Sequence, residues 1–359
     1  MSKKRKNAKQ RLNILLMLLL LTTILMIMST YAWFTANKQV NIDGIDLNVA
    51  TTNGLQISAD GSNWKTVLTI DDLLNAQNTG YTKAVNQLPK TIAPTSSNGA
   101  CTAGKMDMYY GTVYAEVKDP HSPNYGKYML TAAKQTDQHT VKQDAAGNGY
   151  YSAFDIFIKN GSRTDTFFIG GQVNELTGDA LNKIVQTDPT YERGITNSAR
   201  VGILMGGNTT SENVDDIRGL TTQPQDGKAI IWEPNYQSHK TEAINNFNTM
   251  LKWPGFSVAE SAETRTDALK SNIDPLSAVP LDKAYVEEKT HGKFFETVTP
   301  QLRSPKNTNG PVTPMDVQKP LEGGVTKFRL YLWIEGQDVD CENHAANSDL
   351  RFDVNFSIN

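Results

Sequence analysis

Only two cysteines and five histidines occur in 359 residues. Cys101 and Cys341 have no CxxC partner, so no metal-ribbon or dithiol redox motif is present. HExxH, GxSxG and GxxxxGK[ST] are all missing, which removes the usual sequence grounds for a zinc hydrolase, an α/β-hydrolase or a phosphate-cradling NTPase. His121, His139, His239, His291 and His344 are scattered among polar residues, with no ligand-like neighbour three or four positions away. They read as ordinary surface side chains. No constellation in the chain supports an enzyme. One further absence is local: no acidic residue occurs before Asp43.

What stands there instead is cationic and then apolar. Lys3, Lys4, Arg5, Lys6, Lys9 and Arg11 form a basic stretch over residues 1–11. From Leu12 to Phe34 there is no charge, and between Ile14 and Met28 only Thr22 and Thr23 are polar. About 20 apolar residues suffice to span a bilayer as a helix. The basic cluster holds its leading end in the cytoplasm, so the remainder, from residue 35, is expected outside the cell. The lipid bilayer is thus the first expected partner. The segment ends Thr30-Tyr31-Ala32-Trp33, with small residues placed to suit signal peptidase at the Ala32–Trp33 bond. Its length, beyond the 7–15 residues of an ordinary signal core, argues for a retained anchor. Both fates, anchor and cleaved signal, stay open. Localisation is accordingly a membrane-held extracellular domain, or the cell surface after cleavage.

Without its first 32 residues the chain keeps 29 basic and 38 acidic residues, a net charge of −9. That balance disfavours nucleic acid, which needs clustered Lys and Arg. The body reads as short strands between turns. Val40 and Ile42 share one parity and Ile45, Leu47 and Val49 the other, with the switch at Asp43-Gly44, as a β-bulge requires. Asn53-Gly54 then precedes Leu55 and Ile57, the pattern of a hairpin. Strands are expected at Met108–Val117, Tyr128–Ala133 and Tyr151–Lys159. Thr166–Ile169 would begin the partner of that last run. Ala199–Met205 suits a central strand, and Ile230–Trp232 another, stopped by Pro234. Short helices are expected at Asp71–Ala76, Leu181–Val185 and Thr241–Leu251. Residues 237–320 read as an insertion over the surface, ending in the linker-like Arg303–Pro320.

The C-terminus has the cleanest alternation. Phe328, Leu330, Leu332 and Ile334 share one parity, and Leu350, Phe352, Val354, Phe356 and Ile358 do likewise. A period of two buries one face of each strand and exposes the other. These two strands either pair with each other or cross between sheets. The fold class is all-β: a jelly-roll-like antiparallel β-sandwich over residues 35–359 with helical and loop insertions, preceded by one N-terminal transmembrane or signal helix.

Thr30-Tyr31-Ala32-Trp33-Phe34-Thr35, followed by Gly44-Ile45-Asp46-Leu47-Asn48-Val49, resembles the start of the TasA/camelysin group. Those proteins carry SipW-type signal peptides and build exported fibres or surface layers of Gram-positive biofilms. Leu332 to Cys341 resembles a segment of Firmicute surface proteins that share this N-terminus. The resemblance implies a jelly roll, self-association or contact with other matrix proteins, and a strand-donating segment carrying Phe34, Ile42, Ile45, Leu47 and Val49. Deleting Trp33–Val49 would then abolish assembly and leave the body folded. The alternative is a membrane-anchored monomeric adhesin or carbohydrate-binding module.

Three smaller features complete the reading. A Cys101–Cys341 disulfide is permitted outside the cell and would close a loop of about 240 residues, contributing roughly 5 kcal/mol in the chain-entropy picture; two unrelated buried thiols are the other possibility. Glu335, Asp338, Asp340 and Glu342 form an acidic loop that either is solvated or supplies hard oxygens to calcium, the one cofactor the sequence suggests. Arg329, Tyr331 and Trp333 share a face that is either a sugar or subunit interface or is covered by the insertion 237–320. Asn160-Gly161-Ser162 reads as a turn.

Overall fold

The computed structural model describes residues 40–50, 54–81, 86–113, 120–121, 129–135, 148–161, 167–176, 195–221, 228–236, 241–246, 266–269, 279–280, 295–298, 302–305, 311–314, 320–338, 340–341 and 348–358. The apolar segment 12–34, the expected helix Leu181–Val185 and most of 237–320 lie outside them.

Strands dominate the chain. β1 (Val40–Val49), β2 (Gln56–Ser58) and β3 (Val67–Leu68) precede a short helix, Ile70–Asn75. The Asp72 carboxylate caps that helix by accepting the Thr69 backbone N–H at 3.1 Å. β4 (Thr91–Ile92) leads to a small hairpin, β5 (Cys101–Thr102) with β6 (Lys105–Met106), and a longer one, β7 (Met108–Val113) with β8 (Met129–Gln135). β9 (Asn148–Gly149), β10 (Ser152–Lys159), β11 (Phe167–Leu176) and β12 (Ala199–Thr209) follow. Next come the helix Val214–Arg218, β13 (Ile230–Tyr236) and the helix Thr241–Asn246. Asn213 caps the first of these helices by accepting from the Asp215 N–H. Finally, β14 (Thr266–Leu269), β15 (Val279–Pro280), β16 (Phe295–Val298), β17 (Leu302–Pro305) and β18 (Pro311–Pro314) reach β19 (Val325–Ile334) and β20 (Asp349–Ile358).

Two sheets organise these elements. The first runs β18-β11-β20-β1-β4-β9, with β3 also against β1; the second runs β17-β13-β12-β19-β10-β2. Both are mixed rather than purely antiparallel, because β1–β20, β4–β9 and β13–β17 pair in parallel. The antiparallel expectation holds for the β5–β6 and β7–β8 hairpins and for the distant pairs β10–β19, β11–β20 and β12–β19. The three parallel pairs join segments with long stretches of chain between them, so no hairpin fixes their direction.

Side chains from both sheets merge into one apolar core, which includes Ile45 and Leu47 of β1, Phe154 and Ile156 of β10, Val201 of β12, Leu330 of β19 and Phe352 of β20. Across it the Phe167 and Phe328 rings stack at 6.0 Å between centroids, and Phe167 stacks on Phe356 at 5.9 Å. The alternation read from β1 and β20 matches their burial. The bulge in β1 falls between Ile42 and Gly44, where the parity switch placed it.

Several local expectations are corrected. Gly54 does not close a hairpin: β1 stays in the first sheet while β2 joins the second against β10, carrying Ile57 into the core from the opposite side. β11 is likewise not the partner of β10, since it pairs with β20 and β18. Pro234 does not stop β13, which runs on to Tyr236 past an irregularity in its register with β17. Arg303–Pro320 is not a linker, because β17 and β18 each extend one of the two sheets. The last two strands cross between sheets, and β19 buries both of its faces. That last point follows from a second covering layer, described next.

Candidate functional site

The face of the second sheet turned away from the main core is covered. At one end Met106, Met108, Tyr151, Leu204, Ile231, Tyr331 and Trp333 form an apolar cluster, with Val298 packed against it. Tyr331 and Trp333 are therefore not a sugar platform in this fold. Their cover comes chiefly from the segment 94–109: Thr95 bridges to Glu335, Ser96 to Tyr109, and the Met106 N–H donates to the Tyr331 hydroxyl at 3.1 Å. The insertion 237–320 adds Val298. Glycine at 202 permits this cover, since a Cβ there would meet the Met106 sulfur at 2.8 Å.

Beneath the cover lies a buried ionic cluster that links β12, β13 and the turn after β19. Arg200, wholly buried, reaches Glu233 at 2.6 Å and Asp338 at 2.5 Å. Its other terminal nitrogen donates to the carbonyls of Asn197 and Ala199 at 2.7 and 2.9 Å. Asp338 also accepts from the Ser198 hydroxyl and the Asp340 N–H, while the Asn197 amide donates to Asp340. Glu335 accepts from the Trp333 indole at 3.2 Å and the Gln337 N–H at 3.1 Å. Burial would lower the Arg200 pKa, but Glu233, Asp338 and Glu335 outweigh it and raise it. Burial pushes Glu335 up to about 7, with Arg200 and the indole hydrogen bond holding it back.

The acidic loop is therefore neither solvated nor open. Glu335, Asp338 and Asp340 are all buried, and Asp338 is committed to Arg200; Glu342 lies outside the described residues. Among the described residues no group of three His, Cys, Asp or Glu side chains converges to hold a metal ion. Two carboxylates paired with the guanidinium, and a third near enough to raise its pKa, favour a clamp, because the cation they need is already covalently present.

A second buried ionic group sits nearer the other end of β19. Asp155 receives Arg329 at 2.7 Å, Lys327 at 3.0 Å and the Tyr81 hydroxyl at 3.1 Å. The Lys327 ammonium also lies 5.5 Å from the Tyr81 ring centre and 5.8 Å from that of Phe157. Charges read as solvent-facing from their parity are thus paired under an aromatic lid.

The sequence-predicted strand donor has a definite place. Val40, Ile42, Ile45, Leu47 and Val49 are buried in the chain's own core. β1 is an interior strand, with β20 on one edge and β3 and β4 on the other. Its outward face is laced to β20 by Asn41–Asp349 at 2.5 Å and Asn48–Asn355 at 3.1 Å, and by Arg351, which bridges Asp46 and Asp353. The segment is not a loose arm, and deleting it would strip five side chains from the body's own core. Phe34 and the cleavage candidates Thr30, Ala32 and Trp33 lie outside the described residues.

Of the two readings left open for the cysteines, the structure shows separate thiols and no disulfide. Cys101 and Cys341 are both free thiols. Cys341 belongs to the main core and Cys101 packs on the outer cluster, so the two thiols sit in different apolar surroundings. Burial pushes the Cys101 thiol up to about 11, which makes it a poor nucleophile at neutral pH. Of the histidines only His121 is among the described residues. It is exposed.

No family model matches the chain, and comparison with curated proteins and with solved structures gives no match.

Proposed function

We propose that the chain is an exported cell-surface protein of a Gram-positive bacterium, with a jelly-roll-like β-sandwich body that serves as a subunit or accessory of an extracellular fibre or matrix. The basic, then apolar, N-terminus supports export. The observation that carries the structural role is the position of β1. It is the first strand after the apolar segment, and it fills an interior slot parallel to the last strand of the chain. Burying an aliphatic side chain of this kind contributes about 1.5–3 kcal/mol, and five of them line the slot. The same contacts form whichever copy supplies the strand, so exchange between copies costs chiefly the opening of the connection between β1 and β2. Donation from head to tail propagates as a fibre where the rotation between copies does not close into a ring.

The second reading is a membrane-anchored monomeric binding module, and the fact that the chain's own β1 fills the slot favours it. One experiment separates the two. Asn48→Cys and Asn355→Cys, introduced with Cys101→Ser, place two thiols at paired positions of β1 and β20. Protein recovered from its native cell surface is then oxidised or bridged by a short bis-thiol reagent. Strand exchange yields a ladder of covalent multimers in denaturing gels. Exclusively intrachain bridges in all recovered material would refute the fibre and leave the tethered monomer.

A further inference from the structure

The segment 59–79 folds into a cleft that neither ionic cluster nor β1 uses. Its volume is about 260 Å³, and its walls are the loop after β2, β3, and the helix Ile70–Asn75 with the turn behind it. Leu68, with small alanines at 59 and 76, supplies an apolar floor, while Lys65, Asp72 and Asn75 stand at the rim. The loop wall is held rigidly. The Asp60 carboxylate accepts from the Ser62 and Asn63 backbone N–H groups at 2.9 and 2.8 Å and from the Asn63 amide at 2.6 Å. Arg218 fastens the same loop by donating to the Asp60 carbonyl at 2.8 Å and to the Ser62 hydroxyl at 3.1 Å. Lys65 and Asp72 meet at 2.5 Å with the lysine half exposed, so donor and acceptor are presented side by side.

We propose that this cleft binds a single saccharide unit, independently of whether the chain polymerises. Drug-sized ligands occupy pockets of roughly 300–1,000 Å³, and this cleft is below that range, so it suits one small ring. Its chemistry is that of a polyol site. A carboxylate, an ammonium and an amide within one rim offer acceptors and donors to adjacent hydroxyls, which are both at once. The apolar floor of Leu68, Ala59 and Ala76 matches the C–H face of a sugar ring. An inorganic anion would face Asp60 and Asp72 against Lys65, and a purely apolar ligand would take water from the half-exposed Lys65–Asp72 pair without replacing it.

The test uses the full-length chain in detergent micelles and saturation-transfer difference NMR with glucose, galactose, mannose and N-acetylglucosamine. At least one of these sugars is expected to receive saturation from the wild-type protein. Lys65→Ala and Asn75→Ala, both at the exposed rim, should each weaken that binding by roughly tenfold, equivalent to about 1.4 kcal/mol. Asp71→Ala, on the same helix but outside the cleft, should leave it unchanged. Thermal melting of each variant confirms that it is folded. No transfer to any of the four sugars, or transfer equal in wild type and both rim variants, would overturn the proposal.

Discussion

Replacing Arg200 by methionine isolates what the buried cluster contributes. Methionine keeps most of the side-chain length, so little cavity is made, but the partners at 2.6 and 2.5 Å, Glu233 and Asp338, lose their cation. Breaking a buried pair by removing one partner costs about 3–5 kcal/mol, against a typical domain stability of about 5–15 kcal/mol. In urea, where slopes of about 1–3 kcal/mol/M are usual, the midpoint should fall by more than about 1 M with the slope unchanged. The pH dependence gives an independent check. Arg200 holds the Glu335 pKa down, so without it that buried carboxyl binds its proton still more tightly in the folded state than in the unfolded state. The folded state therefore gains on the unfolded as pH falls, and the loss should be smaller at pH 5 than at pH 8, roughly a unit or more either side of neutrality. A loss below about 1 kcal/mol at the higher pH, or an equal loss at both, would refute the clamp and leave the cluster an incidental burial of charge.

Two further outcomes are expected. Glu335 is raised from 4.5 to about 7 in the folded state, so stability should increase as pH falls from above 7 toward 4.5 and then level off, an effect of about 3 kcal/mol. Glu335→Gln should abolish that slope, measured by urea midpoints across the window, and an unchanged slope would show that another group is responsible. Gly171 has a φ of +120°, and a Cβ there would lie 2.0 Å from the Asp353 carbonyl oxygen. Gly171→Ala should therefore lower stability by at least about 2 kcal/mol, read as a depressed melting temperature; an unaltered melt would mean that β11 and β20 pair differently.

The long strands were legible in the sequence, whereas the short ones in 67–106 and 266–314, and nearly all pairing partners, were not. Alternation told which side chains of β1, β19 and β20 enter the main core, and the Asp43-Gly44 parity switch located the bulge, because a period of two is a property of one strand. Pairing is a property of two. Asn53-Gly54 read as a hairpin although β2 belongs to the opposite sheet, and nothing local to Thr166–Ile169 points to β20. Charge misled for a related reason. Asp155, Lys327 and Arg329 occupy the parity that ordinarily meets water, yet they neutralise one another beneath Tyr81 and Phe157. The Arg200 cluster joins residues as far apart as Arg200 and Asp338 in the chain, and no spacing rule reaches that far. The cleft at 59–79 was hidden because its walls are turns and short elements whose shape depends on Arg218 reaching back to Asp60.

The place of β1 bears on the order in which the molecule can be built. Asn41 and Asp349 are neighbours across 308 positions. A chain emerging N-terminus first presents its opening strand long before the closing one exists. Throughout that interval the strand's apolar edge has no seat of its own, and long-range pairings are the slowest to form. Under the strand-exchange proposal, crowding and emergence rate would govern whether the seat is filled from within or by a nearby copy. The choice between a solitary molecule and a filament would then be a race run during folding rather than a property of the finished fold.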